Sequence, residues 1–374
     1  MKPESAHIKR NDLQWLRALA ALEVVVWHSD LATKHFSAMH IQTSIYTVLG
    51  GVGVELFFIL SGYVICMQAP TYKTGAEFMV ARIFRLLPLY WIFTSLVIAA
   101  YFLNPGWKLH GLELDPMFVV RSYLFLPQQK DPVLGLGWTL EHEMIFYAIV
   151  AVALMFLAGA SRQWKLIVAF ILSGLGFLGF LLGTGPSKQL WDYQIASPYM
   201  LAFGFGWLMR VVDENGGARA SGNPLILFLL LLMGALTVAG GADIVLFWRM
   251  ALAGAVFVTF CKLRSYFERN TLINRAMGRI GDASYSLYLS HWFVLSIAGK
   301  VLDHLNVPAQ VDLPVRLAAI VACMAVGYWI FLVIEKPVDR YLRGSGRQKR
   351  TLHAQQPPEP TSVPGKIATL RPPA

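Results

Sequence analysis

The stretch from Asp12 to Leu31 reads DLQWLRALAALEVVVWHSDL. It is long enough to span a membrane as one helix, because about 20 mainly apolar residues cross the hydrocarbon core. Arg17 and His28 are eleven residues apart in it, so on a helix they point within about 20° of each other, roughly 16 Å apart along the axis. Because lipid cannot solvate such a polar stripe, we expect it to face a cavity or the interior of a helix bundle.

The composition indicates a membrane protein with many helices. Of the 374 residues, 56% are hydrophobic and 14% are charged, whereas a soluble globular domain carries nearer a quarter charged residues. The apolar residues occur in blocks, which predicts an all-α, polytopic membrane helix bundle of about ten transmembrane helices. No cleavable signal peptide precedes the first block, so we expect the first helix to remain as an anchor.

The net charge of +10 is explained by topology. Most Lys and Arg residues fall in segments that face the cytoplasm if the ten predicted spans begin there. This distribution follows the positive-inside rule and predicts that both termini are cytoplasmic. We therefore expect attraction to anionic membrane lipid and no nucleic-acid partner.

The chain divides into a membrane domain over residues 1–343 and a basic, Pro-rich tail over residues 344–374. The tail lacks apolar periodicity and is expected to be disordered and cytoplasmic. The apolar segment MFVVRSYLFLP, residues 117–127, is too short to cross a membrane and is predicted to be interfacial or re-entrant. The three cysteines have neither disulfide nor zinc-site spacing, and we predict no metal.

Arg82 and Arg85 are predicted to lie in a cytoplasmic turn before a span that starts near residue 86. They are three residues apart, which places them on one side of a helix. One interpretation is a basic anchor at the cytoplasmic membrane surface. The alternative is phosphate binding, because guanidinium groups form bidentate, charge-assisted bonds to phosphate oxygens.

Glu143 lies early in an apolar span, within WTLEHEMIFY at residues 138–147. A carboxylate there must be paired, protonated or in contact with a wet cavity. It is either a structural partner for an intramembrane arginine, Arg249 or Arg316, or a catalytic group that orients His28 or binds an acceptor hydroxyl. His291 and Ser61 also lie in spans, where packing is the simpler explanation for each.

Five sequence blocks together resemble the acyltransferase 3 family of integral-membrane acyltransferases, in the family's order and over about residues 12–337. The matching residues are Arg17 and His28; Gly53 to Tyr63, with Glu55 at a position that is usually acidic; Arg82, Arg85, Pro88 and Tyr90; Trp138, Leu140, Glu143, Phe146 and Tyr147, with Thr139 in a Ser position; and Ser284, Tyr285, Tyr288, Leu289 and His291.

The resemblance implies an enzyme that transfers an acyl group, usually acetyl, from cytosolic acyl-coenzyme A to hydroxyls of cell-envelope glycans. We expect the stand-alone form without an SGNH-hydrolase domain, in the bacterial inner membrane. The expected partners are a glycan or lipid-linked saccharide acceptor, membrane lipid and envelope polysaccharide assembly proteins. On this basis the catalytic residues are His28 and Glu143, the coenzyme A phosphates bind Arg17, Arg82 and Arg85, and the substrate-binding residues are Glu55, Ser61, Tyr63 and His291.

Two questions stay open from the sequence. His28 either acts as a general base or forms a transient acyl-histidine. Intramembrane Arg, His and Glu residues also suit a secondary transporter of an anion or glycan intermediate, although no internal repeat is visible. A catalytically inactive scaffold is a third interpretation, and the intact Arg17, His28, Arg82, Arg85 and Glu143 argue against it.

Overall fold

The computed structural model describes residues 10–33, 51–103, 114–126, 128, 130–159, 163–182, 194–214, 244–305 and 311–341, and every regular element in these ranges is helical. The α-helices are α1 (Asn11–His28), α2 (Val52–Gln68), α3 (Gly75–Leu103), α4 (Pro116–Tyr123), α5 (Trp138–Phe156), α6 (Trp164–Leu181), α7 (Tyr199–Glu214), α8 (Ile244–Lys262), α9 (Arg264–Phe267), α10 (Leu272–Asp282), α11 (Ser284–His304) and α12 (Asp312–Ile330).

Six helical segments within the described ranges are long and apolar enough to cross a membrane. They are Val52–Thr71, Gly75–Leu103, Gly135–Phe156, Trp164–Leu181, Val245–Lys262 and Asp312–Tyr341. Long faces of these helices are apolar and exposed, as lipid contact requires: Phe102, Phe156 and Phe170 are each at least 70% exposed. The part of the chain that the structure describes is therefore all-helical, and the protein is a membrane protein with several spans.

The expected number of about ten spans is higher than these six. The first predicted span, now α1, carries three charged residues, Asp12, Arg17 and Glu23, and α7 has only 16 residues. The span predicted at residues 225–240 lies outside the described residues, as do residues 1–9 and the tail from residue 342. The cytoplasmic location of both termini, like the disordered tail, stays a prediction.

The helix α3 begins eleven residues earlier than the predicted boundary at residue 86 and has 29 residues. Pro88 stands inside it without ending it, which membrane helices tolerate when neighbouring helices satisfy the freed backbone group. Buried Phe78, Leu86, Leu89 and Phe93 are spaced to form one face of this continuous helix. Arg82 and Arg85 therefore lie on a helix, as their predicted common helical face requires, but this helix is continuous with the span that was predicted to begin only near residue 86.

The first helix lies in the centre of the bundle. Leu16, Ala20 and Val24 pack into the main core, while Ala21 and Val25 pack against a second cluster with residues of α11 and α12. Alanines on its sides allow these helices to approach closely. The polar groups of α1 are therefore surrounded by protein on two sides.

The helices α2 and α7 meet backbone to backbone. Gly62 faces the carbonyl group of Phe203, and Gly206 faces the carbonyl group of Ile59, with no room for a Cβ atom at either position. In a membrane, where the hydrophobic effect does not drive helices together, such close van der Waals packing stabilises their association.

At the other end of the chain, α12 continues into a π-helical turn at Phe331–Glu335, followed by helix over residues 336–341. A π-turn is one residue wider than an α-turn and is often found at functional sites, because it redirects side chains. Here it brings Glu335 to the amide and hydroxyl groups of Ser286 on α11.

We predict that Gly206→Ala destabilises the folded protein, because the added methyl group would overlap the Ile59 carbonyl. Overpacking of this kind costs about 1–3 kcal/mol. The measurement is the thermal midpoint of the detergent-solubilised protein. Gly174→Ala is the matched control, since a Cβ at Gly174 meets nothing within 4 Å; equal midpoints for the two variants would contradict the prediction.

Candidate active site

Arg17 and His28 of α1 contact the same neighbouring helix, α11. The Arg17 Nε donates a hydrogen bond of 3.2 Å to the Ser284 hydroxyl, and the His28 Nδ1 lies 3.2 Å from the Nε2 of His291. At one end of this contact, Gly281, which lies in α10 just before α11, packs against the carbonyl group of Gln14 on α1. The polar stripe anticipated from helical spacing therefore faces the interior of the protein.

Two guanidinium groups and a carboxylate lie close together at the Arg17 end of this stripe. Arg17 and Arg85 are close enough to interact electrostatically with each other and with Glu335. The Glu335 carboxylate accepts hydrogen bonds from the backbone amide of Ser286, at 3.2 Å, and from its hydroxyl, at 2.5 Å. Neither arginine forms a salt bridge with any residue in the described ranges.

A small cleft adjoins these charges. It lies between α3 and the end of the last helix and has a volume of about 20 Å³, roughly the space of one water molecule. Arg85 and Glu335 line it together with the apolar side chains of Phe84, Pro88 and Ile334. Of the two half-buried guanidinium groups, Arg85 therefore lines this cleft.

Arg82 has surroundings different from those of Arg85. Its Nη2 donates a hydrogen bond of 2.6 Å to the Tyr72 hydroxyl, and its guanidinium carbon lies 5.7 Å from the Tyr72 ring centroid and 5.6 Å from that of Phe78. A cation held over aromatic rings is stabilised without a carboxylate. The structure thus places only one of the paired arginines beside Arg17.

Glu143 is held by two hydroxyl groups. Ser61 donates a hydrogen bond of 2.9 Å to its Oε1, and the Tyr147 hydroxyl donates a second one of 2.5 Å to the same atom. Glu143 also interacts electrostatically with Arg17. It is not the salt-bridge partner of Arg249, which pairs with Glu55 at 2.6 Å, or of Arg316, which pairs with Asp312 at 3.0 Å.

His28 and His291 form a pair of imidazoles near the end of α1. Their ring centroids are 5.1 Å apart, and Trp292 packs edge-on against His28, also at 5.1 Å. His291 is fully buried, whereas His28 is partly exposed. Only His28 of this pair is therefore accessible to a substrate.

Two of the predicted substrate-binding residues have protein partners elsewhere. Glu55 is fully buried in its ion pair with Arg249. The Tyr63 hydroxyl donates to a carboxylate oxygen of Asp213 and accepts from Arg10, which precedes α1, so it lies toward the end of the bundle opposite His28. The structure does not bring Tyr63 together with His28.

No role was predicted for Glu335, Ser284 or Ser286 from the sequence, although Ser284 is one of the residues that match the family. Glu335 directly follows the last apolar block, and a carboxylate in that position was a signal that it contacts polar groups of the bundle. The two serines are part of the stretch SYSLYLSHW, residues 284–292, in which His291 was the residue given a predicted role. Their role becomes visible only when α11 is placed against α1.

Comparisons with known proteins give the family. A model described as acyltransferase domain, the acyltransferase 3 family, matches residues 10–332. The exopolysaccharide production protein ExoZ of Rhizobium meliloti is 27% identical over 82% of this chain and 94% of its own length. The acyltransferase MdmB of Streptomyces mycarofaciens is 23% identical over 94% of this chain and 96% of its own length.

The peptidoglycan O-acetyltransferase OatA of Listeria monocytogenes is 24% identical over 87% of this chain, and the match spans 55% of OatA. No solved structure matches the chain. The family match covers every residue of the candidate site except Glu335. The chain belongs to the acyltransferase 3 family and is a membrane acyltransferase.

Proposed function

We propose that this protein transfers an acetyl group from acetyl-coenzyme A to a hydroxyl of a cell-envelope glycan, such as exopolysaccharide or lipopolysaccharide O-antigen, in the bacterial inner membrane. Family membership supports acyl transfer. The names of ExoZ and OatA support a polysaccharide or peptidoglycan acceptor and acetyl as the acyl group. A lipid-linked saccharide and envelope polysaccharide assembly proteins are the partners that fit this activity.

The observation that carries the proposal is that two arginines inside the bundle have no salt-bridge partner among the described residues. In the described part of the chain, Arg10, Arg249 and Arg316 each form a salt bridge, whereas Arg17 and Arg85 form none. A guanidinium group kept in an apolar bundle without a carboxylate in contact suits an anionic ligand. We assign the phosphates of coenzyme A to Arg85, at the cleft, with Arg17 further in and Arg82 at the margin.

The reacting end of the donor then reaches His28. Arg17 and His28 are roughly 16 Å apart along α1, a distance that the pantetheine arm can span. In the proposed reaction, His28 takes the proton of the acceptor hydroxyl while the hydroxyl oxygen attacks the thioester carbonyl. The carbon–sulfur bond breaks, and the proton passes to the departing thiolate. In the alternative, His28 attacks the thioester carbonyl and the carbon–sulfur bond breaks, which gives an acyl-histidine and the thiol. The acceptor hydroxyl then attacks this intermediate, loses its proton and breaks the carbon–nitrogen bond.

For Glu143 and Ser61 we propose a role on the acceptor side. One oxygen of Glu143 already accepts from both Ser61 and Tyr147, so the other has lone pairs available for a hydroxyl of a saccharide. We do not assign a substrate contact to Glu55, because its carboxylate is fully buried beside Arg249.

The decisive experiment for the acceptor compares envelope glycans from cells with and without the gene by mass spectrometry. We expect one acetyl increment to be lost on deletion and restored by the wild-type gene. Membranes that carry the protein should also transfer label from radioactive acetyl-coenzyme A to the glycan. Uptake of a glycan or anion without label transfer would instead support the transporter interpretation.

We predict that His28→Ala lowers the rate of acetyl transfer at least about 100-fold, because general acid–base catalysis contributes typically 10²- to 10⁴-fold. The apparent KM for acetyl-coenzyme A should stay the same, since His28 is remote from the proposed phosphate contacts. His304→Ala is the matched control, as His304 is exposed at the far end of α11. Near wild-type transfer by the His28 variant would remove His28 from this role.

We predict that Arg85→Ala raises the apparent KM for acetyl-coenzyme A about tenfold, the equivalent of one charge-assisted hydrogen bond. The sharper comparison uses S-acetylpantetheine, which has no phosphates. With that donor, Arg85→Ala and wild type should have equal KM values. Arg264→Ala, which removes an exposed arginine paired with Glu268 at 2.6 Å, is the control. An unchanged KM for acetyl-coenzyme A would contradict the phosphate assignment.

A further inference from the structure

The hydrogen bonds of His291 determine which of its nitrogens carries the proton. Its Nδ1 lies 2.6 Å from the carbonyl oxygen of Tyr288. A carbonyl oxygen only accepts, so the Nδ1 of His291 must donate and therefore carries a proton. In the neutral imidazole the other nitrogen, Nε2, is then an acceptor. This acceptor is the atom that faces His28.

The same reasoning applies to His28. Its Nδ1 lies 3.0 Å from the carbonyl oxygen of Val24 and 3.2 Å from the Nε2 of His291. Both of these neighbours accept, so the Nδ1 of His28 carries the proton and donates toward them. The lone pair of neutral His28 is consequently on Nε2. The two assignments agree, although each rests on a different carbonyl group.

We propose that His291 is a positioning residue for His28, which fixes the imidazole with its Nε2 lone pair toward the substrates and stabilises the positive charge that His28 gains on taking a proton. The inference rests on the proposed function, in which His28 is the base. It replaces the earlier prediction that His291 binds substrate. A histidine oriented by a buried acceptor on its other nitrogen is the arrangement that activates general bases in hydrolases.

The surroundings hold His291 in place for this task. It is fully buried, and the Cys323 thiol on α12 donates to its backbone oxygen at 3.8 Å. Trp292 packs against the side of the His28 ring. Asp30, two residues beyond His28, is a carboxylate that interacts electrostatically with it. The Val24 carbonyl and the Nε2 of His291 share the proton of the His28 Nδ1, and Asp30 acts from a longer distance.

The test compares two variants at position 291. His291→Leu fills the space without an acceptor, whereas His291→Gln provides an amide oxygen at about the reach of Nε2. We expect His291→Leu to lower kcat about tenfold or more with an unchanged KM for acetyl-coenzyme A, the size of one lost hydrogen bond to a charged group. We expect His291→Gln to recover most of this rate.

Three outcomes would overturn the proposal: wild-type kcat in a folded His291→Leu protein, a folded His291→Gln protein no better than His291→Leu, or a raised acceptor KM as the main effect in both. If His291→Leu does not fold, the ¹⁵N spectrum of histidine-labelled wild type decides, with the His28 signals assigned by their absence in His28→Ala. We expect a proton on Nδ1 of His28, and a proton on Nε2 instead would also overturn the proposal.

These outcomes are separable from failure of the proposed function. If His28→Ala retains activity, the function assigned to His28 falls, whatever the result at position 291. If His28→Ala is inactive and His291→Leu is fully active, only the positioning role falls.

Discussion

A charged group inside an apolar helix bundle must find its partner within the protein, because lipid offers none. This constraint determines much of how the helices are arranged here. Glu55 on α2 meets Arg249 on α8 at 2.6 Å. Glu143 on α5 meets Ser61 on α2, and Glu335 at the end of α12 meets Ser286 on α11. The first two contacts join helices that are not consecutive in the chain, and the third joins the consecutive helices α11 and α12, so polar groups help to determine which helices are neighbours.

The same constraint distinguishes arginines that are paired with a carboxylate from arginines that are not. Arg249 sits over Gly51 and is neutralised by Glu55. Arg17 and Arg85 are in an equally apolar protein, yet Arg17 contacts a hydroxyl and Arg85 lines a cleft. Glu335 interacts electrostatically with both arginines but contacts neither. A charge without a contacting partner lowers stability in such a place, and the phosphates in the proposed function would offset this cost.

The sequence predicted a good part of this arrangement. Arg17 and His28 were identified from helical spacing alone, since their relation is local to one helix. The helix that faces them was not predictable, because α11 follows more than 250 residues later and pairing between helices depends on the shapes of all of them. Arg82 and Arg85 were expected to act together, since three residues leave them about 60° apart around a helix. In the structure, Arg82 bonds to Tyr72 while Arg85 lines the cleft, a difference that depends on the neighbouring side chains and not on the spacing.

Tyr63 and Glu55 illustrate a second limit. Both lie in a block shared with the family, which suggested substrate contact, and their partners Asp213 and Arg249 are on helices that no sequence pattern linked to α2. A carboxylate within a span predicts that a partner exists. The sequence position of the carboxylate does not show whether this partner is Arg249, Arg316 or water in a cavity.

The contact between Gly281 and Gln14 has a consequence for how this protein can diverge. It aligns two segments of the polypeptide, so that Arg17, three residues after Gln14, meets Ser284, three residues after Gly281. His28 follows eleven residues after Arg17. Apolar residues between Arg17 and His28 can be exchanged for others of similar size. Their number cannot change, because one inserted residue would swing His28 by about 100° away from its partner. Evolution can therefore rewrite the composition of this interval but must preserve its length.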